Sequence, residues 1–80
     1  MAKAKINIQD QFLNNLRREK AEVSVRLISG EDIDGTLKAF DNFCVVLKSG
    51  SNYHLLYKHA ISHIRPFESL KKFDAIYENF

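Results

Sequence analysis

Eighty residues with a formal net charge of +2 and one cysteine allow a single domain whose core alone is marginal, so oligomerisation, a metal or disulfides usually assist. The lone Cys44 excludes an internal disulfide, and its place in the apolar run Phe43-Cys44-Val45-Val46-Leu47 suits a buried, inert thiol in a reducing compartment. No run is long enough to span a bilayer, and Met1-Ala2-Lys3 is not followed by a signal-type apolar stretch, which implies a soluble, cytoplasmic protein without a membrane partner.

The first predicted element is a helix from about Ile8 to Lys20, after a flexible N-terminus, residues 1–7. Asn7 is a good N-cap, and Asp10 suits the positive end of the helix dipole. Ile8, Phe12, Leu13 and Leu16 form one apolar stripe. Arg17, Arg18 and Lys20 fall in the last turn, where cations complement the dipole. Residues 1–20 hold five cations against Asp10 and Glu19, a local +3, and clustered bases of this kind are an electrostatic footprint for nucleic acid.

After Glu22 the period changes to two. Val23, Val25 and Leu27 alternate with Ser24 and Arg26 as in a half-buried strand, and Ser29-Gly30-Glu31 is a turn. Ile33, Gly35, Leu37 and Ala39 then share one face, with Gly35 marking a bend or a close backbone approach. Phe40-Asp41-Asn42-Phe43 is a tight turn of Asx type. Phe43 to Leu47 is apolar throughout and reads as a central strand, and Ser49–Asn52 turns the chain again. Tyr53 to Tyr57 and Ile61 to Arg65 are strands four and five, ended by Pro66. One helix and five short strands predict a mainly β fold, a strongly bent antiparallel small barrel with the helix over one open end. Leu55, Leu56 and Tyr57 put apolar surface on both faces of strand four, more than a free edge should show, so strand four or five is expected to pair with another copy in a ring or dimer. The tail, residues 67–80, is expected to be poorly ordered or a short helix carrying Leu70, Phe73, Ile76 or Tyr77, and Phe80 at helical spacing.

Between the last two strands, Tyr57-Lys58-His59-Ala60-Ile61 sets a phenol, a cation and an imidazole side by side. A break in pairing there turns both polar heads out at one end of the β-structure, where they suit an anionic or base-like ligand. The bland alternative is a solvated turn. His54, His59 and His63 raise the thought of zinc, but no Cys or carboxylate pair sits at ligand spacing, and neither metal nor cofactor is expected. Lys58 and His59 as a base in RNA hydrolysis would need an orienting carboxylate, for which Asp41 is the one candidate, so no enzyme is expected.

Two separated motifs carry a resemblance. Leu27-Ile28-Ser29-Gly30-Glu31-Asp32-Ile33-Asp34-Gly35 with Phe40-Asp41-Asn42-Phe43 resembles the first signature of the Sm-like superfamily. Tyr57-Lys58-His59-Ala60-Ile61-Ser62 resembles the second signature in its bacterial form, that of the Hfq family of RNA chaperones. Gln9 to Asn14 and Arg17-Arg18-Glu19-Lys20 resemble that family's N-terminal helix, so the likeness covers residues 8–66. It implies an SH3-like small barrel closed into a hexameric ring, with strand four of one subunit against strand five of the next. It also implies a chaperone that binds U-rich single-stranded RNA and anneals small RNAs to mRNA in post-transcriptional regulation and stress responses, with other RNA-processing proteins as partners.

Carried onto this sequence, the resemblance implies three surfaces. At the pore, Phe43 stacks on a base, Lys58 donates to a uracil carbonyl, His59 meets phosphate or ribose, and Gln9 and Asn42 contact base edges. The family usually has Gln where Asn42 stands. Asn14, Arg17, Arg18 and Lys20 form a rim, with dipole capping as the plainer reading of the cations. The opposite, purine-binding face takes Arg26, Gly30, Ile33, Asp34, His54 and His63. There Arg26 replaces an aromatic, and Glu31, Asp32 and Asp34 set carboxylates near a phosphate path, so A-rich binding is expected to be weakened or altered. An SH3-like protein-interaction module without RNA binding is the alternative; it leaves the Lys-His corner and the basic helix end unexplained.

Overall fold

The computed structural model describes residues 7–68 and 70. Helix α1 (Ile8–Arg18) starts where Asn7 Oδ1 accepts from the Asp10 N–H at 3.1 Å, the capping bond that the sequence promised. Leu13 and Leu16 are buried and Phe12 packs beside them, but Ile8 is 53% exposed, so the apolar stripe begins one turn later than its spacing suggested. The helix closes at Glu19, short of Lys20. The Ala21 N–H reaches back to the Leu16 carbonyl and the Lys20 N–H to that of Arg17, with Lys20 in the left-handed region at φ 52°. This closure normally takes glycine at the position that Lys20 fills.

Five strands follow: β1 (Glu22–Leu27), β2 (Asp32–Phe40), β3 (Cys44–Ser49), β4 (Asn52–Tyr57) and β5 (Ile61–Pro66). They form one antiparallel sheet in the order β4-β3-β2-β1-β5. The strand at its centre is therefore β2, and β3, whose residues are buried on one face and half-buried on the other, stands second from the edge. Val23, Val25, Leu37, Val45 and Leu47 point into a core shared with Leu13 and Leu16 of the helix, each contributing roughly 1.5–3 kcal/mol by its burial. Leu70, expected in the tail, is 5% exposed and joins that core; the remaining tail expectation, like that for residues 1–6, falls outside the described residues.

The bend sits in β2. Gly35 is buried where β3 folds over it: a Cβ there would collide with the Lys48 carbonyl oxygen and stand 2.9 Å from its carbon and 3.2 Å from Leu47 Cγ. Two residues on, the β2–β3 register shifts between Leu37 and Ala39, which leaves Lys38 as the extra residue. Past this bulge the faces exchange. Ala39, expected to point inward, is exposed, and Phe40 turns toward the core. The two edge strands, β4 and β5, have no outer partner among the described residues, and β4 exposes Tyr53, Leu55 and Tyr57 at 62%, 57% and 54%.

Candidate nucleic-acid interface

One 3-10 turn, Lys58–Ala60, joins β4 to β5. Its backbone is pinned at both ends. The Lys58 N–H donates to the Phe43 carbonyl at 2.7 Å, and the Ala60 carbonyl accepts from the Ile28 N–H at 2.8 Å. The Lys58 ammonium donates to Gln9 Oε1 at 2.9 Å and lies 5.6 Å from the Phe40 ring centroid, within cation–π range. Phe43, which the sequence placed in the third strand, precedes it and is 73% exposed, so it is no core aromatic. His59 is exposed and its ring stacks on Tyr57, with centroids 5.7 Å apart. Lys58 thus joins Gln9 through its side chain and Phe43 through its backbone, while Asn42 and His59 flank them as exposed chain neighbours. The cluster offers an open ring face, an ammonium with donors to spare, an imidazole and two amides.

The turn that presents Phe43 is held by Asp41, whose Oδ1 accepts from the Phe43 and Cys44 N–H groups, both at 2.8 Å. These two bonds hold the Asp41 carboxyl below its ordinary pKa, with the nearby Lys58 charge acting in the same direction. A depressed folded-state pKa contributes stability that is fully present above the unfolded value, about 4, and is lost as pH falls toward the folded one. Asp41→Asn is therefore expected to melt below wild type at pH 7, with the difference shrinking as pH falls below the unfolded-state value of about 4. Acid-to-neutral melting curves of the pair check this; a gap that stays constant across that window would remove the carboxylate from the account.

Along the helix, Arg17 donates to Asn14 Oδ1 at 2.6 Å, so the amide orients the guanidinium, and Arg18 and Lys20 are carried beside it. On the other side of the sheet, Arg26 grips Asp32 with Nε–Oδ1 at 2.6 Å and Nη2–Oδ2 at 3.0 Å. The bidentate pair holds the Asp32 carboxyl below its usual range, with His63 and Arg65 adding smaller pulls. Strand pairing sets Asp32, Arg26 and His63 in one row across β2, β1 and β5. Gly30 turns nearby at φ 99°, Asp34 is exposed, and Ile33 packs against the core. His54, half-buried on β4, lies three strands from Arg26 and is not brought to it within one chain. No group of three or more His, Cys, Asp or Glu residues able to hold a metal forms among the described residues.

The family model described as "Hfq protein" matches residues 8–71. The chain belongs to the Hfq family. It is 53% identical over 68 residues to the RNA-binding protein Hfq of Fervidobacterium nodosum, covering 85% of this chain and 77% of the relative. To that of Caldanaerobacter subterraneus it is 58% identical over 66 residues, covering 81% and 77%. A crystal structure of the pleiotropic translational regulator Hfq superposes with a TM-score of 0.72 at 39% identity, covering 74% of this chain and 98% of that one. An Hfq protein from Anabaena sp. superposes at 0.68 with 27% identity, covering 74% and 95%.

The Hfq match takes in every site residue named from the sequence, Gln9 through His63. Three residues at these surfaces went unassigned. Phe40 lies under the Lys58 ammonium, and only the bulge at Lys38 turns it that way. Tyr57 stacks on His59; its place beside the Lys-His pair was a usable signal. Lys38 shares a cleft with Arg17 and Lys20. No helix among the described residues of this Hfq fold is long and apolar enough to cross a membrane.

Proposed function

We propose that this protein is a cytoplasmic RNA chaperone that binds U-rich single strands and anneals small RNAs to mRNA, without chemistry of its own. One observation carries the reading: an exposed Phe43, whose carbonyl accepts from the Lys58 N–H, is set by that bond next to a residue whose ammonium Gln9 holds in place. Ring faces stack on bases regardless of sequence, and a fixed ammonium selects carbonyl-bearing edges, which uracil presents. Asn42 and His59 complete that surface. The description of its relatives as RNA-binding proteins supports the same reading.

The same sheet supports a hexameric ring. β4 and β5 are its two open edges, and pairing β4 of one copy with β5 of the next covers both, together with the apolar row on β4. The ring gathers six copies of the corner around a pore. The rim residues Asn14, Arg17, Arg18 and Lys20 then receive a second strand, lowering phosphate repulsion between two RNAs held together. On the opposite face Arg26 is engaged by Asp32 rather than free to stack, and the proposed purine site of Arg26, Gly30, Ile33, Asp34, His54 and His63 is weakened accordingly.

Fluorescence anisotropy of short oligo-U and oligo-A on the intact protein tests this. Tight oligo-U binding that Lys58→Ala abolishes, with weak oligo-A binding, is the expected result. Binding of neither would replace the chaperone by an SH3-like protein-interaction module, and hydrolysis of the probe that His59→Ala removes would make the corner an enzyme site.

A further inference from the structure

The Lys58 ammonium is held by two other elements of the fold. From α1, Gln9 Oε1 accepts one of its N–H groups at 2.9 Å. From the end of β2, the Phe40 ring lies under it, with the centroid 5.6 Å from Nζ. An alternating strand would not have placed that ring there. The register shift between Leu37 and Ala39 inserts Lys38, and Phe40 comes to pair with Val45, a core residue that is 1% exposed. Phe40 is half-buried and packed against the core, so it is a firm platform and not a loose one. Lys58 is itself half-buried, and no carboxylate among the described residues forms a salt bridge with it. Asp41, close enough to feel its charge, directs Oδ1 to the Phe43 and Cys44 N–H groups instead.

We propose that Phe40 is a positioning residue for the RNA site: with Gln9 it clamps the Lys58 ammonium, and the donor left over, held in one direction, prefers uracil to cytosine. The clamp rests on the U-rich binding reading above and deepens it. A lysine head on its four-carbon stem is otherwise a mobile point charge that settles on whatever acceptor is near. Of its three donors, Gln9 takes one and the ring face draws another, so the direction of the third follows from the first two. Uracil presents a carbonyl where cytosine presents an amine. A donor that cannot swing aside therefore penalises cytosine, whereas a free one turns to the other acceptors of that base. Order already present in the folded protein is also order that binding does not have to supply. Phe40 acts through Lys58; it is half-buried, while Phe43 is the open ring.

Anisotropy of oligo-U and oligo-C on the intact protein tests the clamp. The variants are Phe40→Leu, Phe40→Tyr, Lys58→Gln and the Phe40→Leu/Lys58→Gln pair, all at low salt, where residual binding is readable, and with thermal melts alongside. Phe40→Leu is expected to weaken oligo-U binding roughly two- to fivefold, the size of one cation–π contact, and to change oligo-C binding less, so the preference for uracil narrows. Phe40→Tyr keeps a ring face and should stay near wild type. In the Lys58→Gln background, Phe40→Leu should have no further effect, because what it positions is already gone. Should the leucine variant fail to fold, Phe40→Met, a flexible filler without a ring, takes its place. The clamp is overturned if the ringless variant binds both RNAs as wild type does. It is overturned equally if that variant loses both affinities alike, or loses as much without Lys58 as with it, since Phe40 would then be structural only. Wild-type protein that does not bind oligo-U would bring down the parent reading, and the clamp with it.

Discussion

Phe43→Ala is expected to weaken oligo-U binding by roughly 5–150-fold, the equivalent of about 1–3 kcal/mol for a lost base stack, while leaving the melting temperature essentially unchanged. The two halves of that expectation come from one fact. Phe43 stands outside the core with 73% of its surface exposed, so truncation opens no cavity. What anchors the neighbourhood is backbone: the Phe43 carbonyl still accepts from Lys58, and the Phe43 N–H still donates to Asp41. Phe43→Tyr keeps a ring face and should retain most of the affinity; Phe43→Leu keeps the apolar bulk and should not. Anisotropy on all three variants, with thermal melts alongside, checks this. A variant that melts early but binds normally once folded would make Phe43 a structural residue and remove the stacking platform from the proposed function.

Gly35→Ala is expected to destabilise the chain by at least the roughly 1–3 kcal/mol that overpacking costs, a fall in melting temperature on the order of 10 °C for a domain of this size. The added methyl would run into the Lys48 carbonyl, which belongs to the neighbouring strand and cannot rotate away as a flexible side chain would. Relief requires β3 to lift off β2, and that bend is what brings Leu37 and Leu47 together in the core. Gly50 offers a contrast, since it lies in an open turn with nothing within 4 Å of a Cβ. Gly50→Asn, able to adopt the positive φ there, should be far milder. Melts of both variants decide the matter; equal, small shifts would mean that the sheet flexes at Gly35 and that the close approach is not a constraint.

The helix start, the five strands and the corner were legible because each has a local cause. Asn7 caps, the period changes at Glu22, glycine or Asx residues mark the turns, and Pro66 ends the last strand. Gly35 could be read as a close approach because a glycine in mid-strand weakens the strand unless a bend or a neighbouring backbone requires it. What escaped was set by tertiary geometry. The bulge at Lys38 leaves no mark in an alternating pattern, so Ala39 was given the inward face and Phe40 was left to the turn, whereas Phe40 is the one that packs against the core. The left-handed closure at Lys20 lacks the glycine that announces such turns. The apolar run of β3 told of cover on both faces but not of its place in the sheet, which is second from the edge and not central. Of the site, Gln9, Phe43 and Lys58 were nameable through the family's motifs, yet Gln9 and Lys58 stand 49 positions apart and meet only because the chain folds back on itself. The cation that joins Arg17 and Lys20 from β2 could not have been found by spacing at all.

The two unpartnered strands also tie stability to mass action. In the proposed ring each copy completes its neighbour's sheet, so the folded chain and the assembled one become linked equilibria, and apparent stability rises with protein concentration. Substitutions at Tyr53, Leu55 or Tyr57, the exposed row on β4, would then act as changes in the concentration threshold for assembly. A dilute cell extract and a concentrated stock of the same variant would report different proteins.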